Sequence, residues 1–122
     1  MLSYKEYDNA QAVKIVLSGR LSTQEFDKIA EKLEAFIKRH GQIRVLEVRL
    51  RGHGRRRLLA DVKFSLRHVQ DFSRVAIVIN PDMHHLWSNL VAPFMRCDVE
   101  HFSPGETEAA RDWLMWPEGA VD

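Results

Sequence analysis

The chain of 122 residues contains very little cysteine and no long hydrophobic run, and these absences exclude several classes of protein. Cys97 is its single cysteine, so no disulfide can form within the chain, and we expect a small buried thiol there. No apolar stretch approaches the roughly 18 residues that predict a membrane-spanning helix. The opening residues, MLSYKEYDNAQ, lack the apolar segment of a signal peptide. Together these absences lead us to expect a cytoplasmic protein.

Motifs that mark catalytic and metal sites are missing as well. No G-x-S-x-G elbow is present, no G-x-G-x-x-G follows a predicted strand, and no H-x-x-x-H or H-E-x-x-H pattern occurs. The adjacent His84 and His85 would point about 100° apart on a helix, which prevents them from chelating one ion together. We therefore expect a non-enzymatic domain that needs no metal and no cofactor.

Composition favours one domain over residues 1–122, because 45% of the residues are apolar and 29% are charged. The net charge of +1 conceals an uneven distribution. Residues 38–74 contain eleven Lys and Arg against three acids, whereas the chain from Cys97 onward contains seven acids and one base, Arg111. These regions either meet, within the fold or between two copies, or form separate solvated surfaces.

Hydrophobic periodicity predicts alternating strands and helices, and hence an α/β fold. The predicted strands are residues 2–8, 12–18, 43–50, 75–79 and 98–102; the predicted helices are residues 22–40, 58–70 and 83–95 and a last helix through Trp116. The short Asp8-Asn9-Ala10 turn predicts an antiparallel hairpin. The later helical crossovers predict parallel strands. We expect a mixed, mostly parallel sheet of five strands with about four helices, in an order that the sequence leaves open.

The first helix carries the clearest local signals. Ser22 and Glu25 form an S-x-x-E capping box, and Gly41 ends the helix. One apolar stripe at helical spacing comprises Phe26, Ile29, Ala30, Leu33, Phe36 and Ile37.

The alternation of residues in the third predicted strand indicates one apolar face and one face that becomes charged toward its end. Leu46, Val48 and Leu50 share the first face. Ile43 and Val45 begin the second, which continues with Glu47 and Arg49. These two charges either pair across their i, i+2 spacing, or face solvent or the rim of a polar pocket.

The segment RGHGRRR at residues 51–57 follows this strand and opens onto the second predicted helix. Ligands of open α/β sheets bind at such strand ends. A helix start favours anions, and arginine adds forked hydrogen bonds to phosphate or carboxylate. The candidate anion-binding residues are Arg51, His53, Arg55, Arg56 and Arg57. A solvated loop is the alternative. Nucleic acid is not expected as a partner, because no recognition motif accompanies these arginines.

The predicted helix at residues 83–95 is more apolar than an ordinary surface helix. Such a helix is buried in the core, covers a ligand, or contacts a protein partner or a second copy of the chain. Methionine and tryptophan adapt well to variable apolar ligands. With the helix at residues 58–70, the candidate ligand-binding residues are Leu59, Val62, Phe64, Met83, Trp87, Leu90, Val91 and Phe94.

The order of these elements and several segments resemble the bacterial SpoIIAA-like family of STAS-class domains, which are similar to anti-sigma-factor antagonists. The segments are GRLSTQEFDKIAEKLE, HGQIRVLEV, DVKFSLRHVQDFSRVAIV and DVEHFSPGETEAARDWL. The resemblance implies a single STAS-like domain. Typical antagonists carry a phosphorylatable serine or threonine after the third strand, where this chain has Arg51-Gly52-His53-Gly54-Arg55 without a hydroxyl group. The phosphorylation switch therefore does not carry over.

The family resemblance also implies an analogy to CRAL-TRIO lipid carriers, in which two mobile helices cover an apolar cavity. We therefore expect a regulatory or ligand-binding module that holds a lipid-like molecule under the helices at residues 58–70 and 83–95. The arginine-rich segment would meet its anionic end or the anionic inner face of the membrane. The alternative is a protein-interaction module, antagonist-like or homodimeric, that uses the same apolar helix.

Overall fold

A computed structural model describes residues 2–18, 22–50, 67, 70–82, 89, 93 and 96–115. Its elements, in chain order, are strand β1 (Leu2–Tyr7), a 3-10 turn (Asp8–Ala10), β2 (Ala12–Leu17), helix α1 (Thr23–His40), β3 (Ile43–Arg49), β4 (Phe72–Val78), β5 (Asp98–Phe102) and helix α2 (Thr107–Leu114).

The five strands form one sheet in the order β1-β2-β3-β4-β5. β1 pairs with β2 antiparallel, and every later neighbour pairs in parallel. The predicted mixed sheet with an N-terminal hairpin is confirmed. Because β2 to β5 run in the same direction, their carboxyl ends lie along one edge of the sheet, which we call the carboxyl edge.

The hairpin turns where the sequence predicts it. Gln11 adopts the left-handed conformation with φ 51°, and its N–H donates to the Asp8 carbonyl at 3.1 Å. The last turn of α1 contacts this hairpin. Arg39 Nη2 donates to Glu6 Oε1 at 3.1 Å and to Asp8 Oδ1 at 3.0 Å. His40 Nε2 lies 2.9 Å from the same Asp8 oxygen. The hydrogen bond with His40, aided by Arg39, lowers the pKa of Asp8 below its ordinary value.

Helix α1 begins and ends as its sequence predicts. The Glu25 N–H donates to Ser22 Oγ at 3.1 Å, and the Ser22 N–H donates to Glu25 Oε1 at 3.2 Å. Both partners of the capping box are therefore satisfied. Gly41 has φ 84°, and its N–H donates to the Ile37 carbonyl at 2.6 Å. Glycine suits this position because side chains with a Cβ rarely adopt a positive φ.

The first hydrophobic cluster fills the space between α1 and one face of the sheet, which we call the α1 face. Phe36 is fully buried there, and Phe26 and Ala30 pack at its margin, which confirms the predicted stripe. Its buried members are Val13, Ile15, Leu17, Ile29, Leu33, Phe36, Ile37, Ile43, Val45, Phe72, Val75, Ile77 and Ile79.

The second cluster lies on the opposite face, which we call the α2 face. Leu46 and Val48 of β3 pack there against Ala110 and Leu114 of α2. Alternation along β3 thus sends successive side chains to opposite clusters, as predicted. Both faces of the central strands are covered, which explains why β4 reads as an apolar run without alternation.

Three points of the structure differ from the sequence expectations or lie outside what the structure describes. β4 begins at Phe72 instead of Val75, because Phe72 pairs with Ile43 and Arg74 pairs with Arg44, with a register shift between the two pairs. α2 ends at Leu114, while Trp116 lies outside the described residues. Two of the four predicted helices are described, whereas those at residues 58–70 and 83–95 fall mostly outside the described part. None of the helices that the structure describes has the length and apolar character to cross a membrane.

Candidate functional site

The candidate site lies at the carboxyl edge, where the chain leaves β3 and β4 on neighbouring strands. Leu17 pairs in register with Arg49, Val48 with Val78, and Val78 with Phe102. The arginine-rich segment starts two residues after Arg49, and residues 83–95 follow soon after Val78. Parallel pairing therefore brings the starting points of both predicted binding segments to one edge of the sheet, where α/β sheets bind ligands.

A buried ion pair occupies the end of β3 beneath this edge. Arg49 Nη2 lies 2.9 Å from Glu47 Oε1, and 3% of the Arg49 side chain and 15% of the Glu47 side chain are exposed. The two residues are two positions apart on a strand, so both side chains point to the α1 face. Of the possibilities that the sequence leaves open, pairing is confirmed and exposure of these charges to solvent is wrong, while a place at the rim of a polar pocket stays a prediction.

The surroundings of the pair are apolar. Glu47 lies between Ile15 of β2 and Ile77 of β4, and Arg49 lies beside Leu17. All three apolar side chains are buried. Among the described residues, Arg49 is the one charged or polar residue that is buried. A buried ion pair commonly contributes no more stability than apolar residues of similar volume, so stability alone does not account for its presence.

A histidine outside the predicted candidate residues lies in the same row of the sheet. Glu47 pairs in register with Ile77, and Ile77 pairs with the partly buried His101 of β5. Glu47 and His101 therefore stand on the α1 face, separated by one strand. Sequence spacing could not show this, because the relation depends on the order β3-β4-β5. The sequence did contain one signal of this relation, because His101 is a polar residue near the end of the predicted strand at residues 98–102.

The predicted site residues themselves fall outside the described part of the chain, so their placement stays a prediction. The anion-binding candidates outside it are Arg51, His53, Arg55, Arg56 and Arg57; the ligand-binding candidates outside it are Leu59, Val62, Phe64, Met83, Trp87, Leu90, Val91 and Phe94.

Three isolated described residues fall within the two predicted binding helices. Arg67 is helical, and its Nη1 lies 3.7 Å from Glu34 Oε1 of α1. Asn89 is helical and Pro93 lies in a 3-10 turn. The Arg67 contact is exposed and contributes little free energy. It does show that Arg67 lies beside α1.

The Cys97 thiol has the character of a packing group. It is partly buried against the first cluster. Burial, aided by the nearby Asp98 carboxylate, raises the pKa of Cys97 to about 11. The thiol therefore stays protonated at neutral pH and is a poor nucleophile. Within the described part of the chain, no group of three His, Cys, Asp or Glu residues is arranged to hold a metal ion.

Comparison with known proteins agrees with this architecture. The family model described as SpoIIAA-like matches residues 12–115. The chain belongs to the SpoIIAA-like family. The resemblance inferred from the sequence is thus confirmed for this family, and the matched range extends from the first residue of β2 to just beyond α2.

A solved structure shares the SpoIIAA-like fold. It is the crystal structure of an uncharacterized protein from Shewanella loihica PV-4, described as having a SpoIIAA-like fold. Its TM-score with this chain is 0.65 at 21% identity, and the alignment covers 93% of this SpoIIAA-like chain and 92% of the other. This likeness concerns the fold alone. No curated protein matches the chain.

Proposed function

We propose that this SpoIIAA-like chain is a non-enzymatic regulatory module that binds an amphipathic, lipid-like molecule at the carboxyl edge. The observation that supports it most directly is the parallel register of β3 and β4, which brings the starts of both candidate binding segments together. STAS-class families are generally non-enzymatic, and the sequence lacks the hydroxyl group that would allow the phosphorylation switch of anti-sigma-factor antagonists.

The topology favours a cover on the α1 face. Right-handed crossovers that advance in one direction along a sheet fall on the same side of it. β2, β3, β4 and β5 advance in that way, and α1 makes the first crossover. By this rule, residues 58–70 and 83–95 would continue the layer that α1 begins. The contact between Arg67 and Glu34 is in keeping with that placement.

The polarity of the segments favours an amphipathic ligand. In this proposal the apolar tail lies beneath Trp87 and Phe94, and the anionic end lies toward Arg55, Arg56 and Arg57. The chain would act in the cytoplasm, where these arginines would also favour contact with the anionic inner face of the membrane. Each basic residue near such a surface contributes about 1 kcal/mol.

The proposal is tested by native mass spectrometry of the purified full chain, followed by denaturing extraction and lipid analysis. We expect a co-purifying apolar molecule at a defined stoichiometry. Trp87→Ala and Phe94→Ala should each reduce the bound fraction without unfolding the domain. Trp113→Ala is the matched control, because Trp113 packs on the α2 face and its loss should leave ligand retention unchanged.

Two results would contradict the lipid-binding proposal. If Trp87→Ala and Phe94→Ala only lower stability, these side chains are core residues and the cover does not exist. If the protein has a clean dimer mass without ligand, the apolar helix serves the alternative function, a protein-interaction module. Size-exclusion chromatography with light scattering would then measure the dimer in solution.

A further inference from the structure

We propose that Arg49 receives the acidic headgroup of the ligand and that Glu47 is the counter-ion which the headgroup replaces. This inference rests on the proposed function and makes it more specific. It assigns the ligand to amphiphiles that end in a carboxylate or a phosphate, the two oxyanions that match a guanidinium.

The position of Arg49 supports this role. Arg49 is the last residue of β3, at the carboxyl edge, and its side chain lies on the α1 face where the proposed cover would lie. Its neighbours on that face, Leu17 and Ile15, are apolar and buried. Apolar walls around a few fixed polar groups are the usual composition of a site for an amphipathic small molecule.

The chemistry of the pair supports exchange. Arginine stays charged at every physiological pH, and its planar fork binds carboxylate or phosphate through two parallel hydrogen bonds. Glu47 already presents a carboxylate oxygen at 2.9 Å from Nη2. An incoming carboxylate would present the same atoms in the same geometry, so the site is prepared for an oxyanion before the ligand arrives.

The unequal burial of the two partners indicates which one moves. The Arg49 side chain is 3% exposed and the Glu47 side chain 15% exposed. Glu47 is therefore nearer to water and can be rehydrated by a smaller movement, while Arg49 stays in place. The resident counter-ion also keeps the empty site neutral, which avoids the large cost of a buried uncompensated charge.

The test compares three probes on delipidated full-length protein by isothermal titration calorimetry: oleate, oleyl alcohol and inorganic phosphate. Oleate and oleyl alcohol share a tail and differ in headgroup charge. We expect the wild-type chain to bind oleate about tenfold more tightly than oleyl alcohol, and inorganic phosphate far more weakly than either.

Two variants assign the preference to Arg49. The charge-neutral double variant Glu47→Gln/Arg49→Met should bind oleate and oleyl alcohol equally. Arg49→Lys keeps the cation and should keep part of the preference. The ratio of the two Kd values within one variant is the readout, because a general loss of stability would weaken both ligands together. The Lys variant also provides a test if the double variant does not fold.

Each contrary result has a distinct meaning. Equal binding of oleate and oleyl alcohol by the wild-type chain would overturn the role of Arg49 and leave the proposed function intact. A preference that survives in the double variant would assign the headgroup to other cations and also overturn it. If inorganic phosphate bound as tightly as oleate, the site would bind free anions and gain nothing from an apolar tail, which would overturn the assignment to amphiphiles. Absence of binding by both amphiphiles would overturn the proposed function itself.

Discussion

Arg74 of β4 contacts Trp113 of α2 in two ways. Its Nη1 donates to the Trp113 carbonyl at 2.9 Å, and its guanidinium carbon lies 5.0 Å from the centroid of the indole ring. On the neighbouring strand, Arg44 Nη1 donates to the Leu114 carbonyl at 3.3 Å. Two arginines in register on β3 and β4 therefore satisfy carbonyls at the end of α2, where a cation also suits the helix dipole.

The difference between these two arginines predicts a graded loss of stability. Arg74→Met should lower the free energy of unfolding by about 1–2 kcal/mol, since it removes the hydrogen bond and the cation–π contact with Trp113. Arg44→Met is the matched control and should cost less, because its hydrogen bond is longer. Urea denaturation measures both, and an equal loss in the two variants would show that the indole contact contributes nothing.

The Glu47–Arg49 pair predicts strong non-additivity. Either Glu47→Gln or Arg49→Met alone should lower the free energy of unfolding by about 3–5 kcal/mol, because each leaves an uncompensated group in an apolar site. The double variant should lose much less than the sum. A double-mutant cycle in urea measures the coupling. Additive losses would mean that water screens the pair, in conflict with its burial.

The capping box predicts a modest and local effect. Ser22→Ala should lower the free energy of unfolding by about 1 kcal/mol, because the Glu25 N–H loses its acceptor. Gln24→Ala is the control at an exposed position of the first turn, and we expect no loss there. Thermal denaturation by circular dichroism measures both variants, and a loss as large in Gln24→Ala as in Ser22→Ala would contradict a specific cap.

The ion pairs of the hairpin predict that the stability of the folded state decreases at acidic pH. The lowered pKa of Asp8 means that its carboxylate stabilises the folded state above the ordinary pKa of 3.8. That contribution is lost as the pH falls through the lower pKa of the folded state. Asp8→Asn should therefore lower the Tm slightly at pH 7 and have no effect in strong acid. An equal Tm difference at both pH values would exclude the carboxylate as its cause.

The raised pKa of Cys97 predicts slow alkylation of the folded protein. Iodoacetamide should modify the native chain slowly at pH 8 and faster as the pH approaches about 11, where the thiolate forms. In urea the thiol should react rapidly at pH 8. The folded state holds this proton more tightly than the unfolded state, so stability should fall between pH 9 and about 11. Equal rates in buffer and urea would contradict the burial.

Local signals in the sequence predict much of this fold. The capping box at Ser22 and Glu25, the stop at Gly41 and the stripe on α1 depend on residues three or four positions apart, and all are confirmed. Alternation along β3 correctly assigns Leu46 and Val45 to opposite faces. The start of β4 is predicted late, since Ser73 and Arg74 have little strand preference and the strand is extended by the pairing of Phe72 and Arg74 with β3.

The sequence by itself determined the α/β class, the hairpin, the capped first helix and the membership in a SpoIIAA-like family, because each depends on neighbouring residues or on a pattern along the chain. Only the tertiary structure decided the strand order, the burial of Glu47 and Arg49, and the alignment of Glu47 with His101. Those features depend on which strands lie side by side, and strands remote in sequence become neighbours only when burial of both sheet faces selects one order.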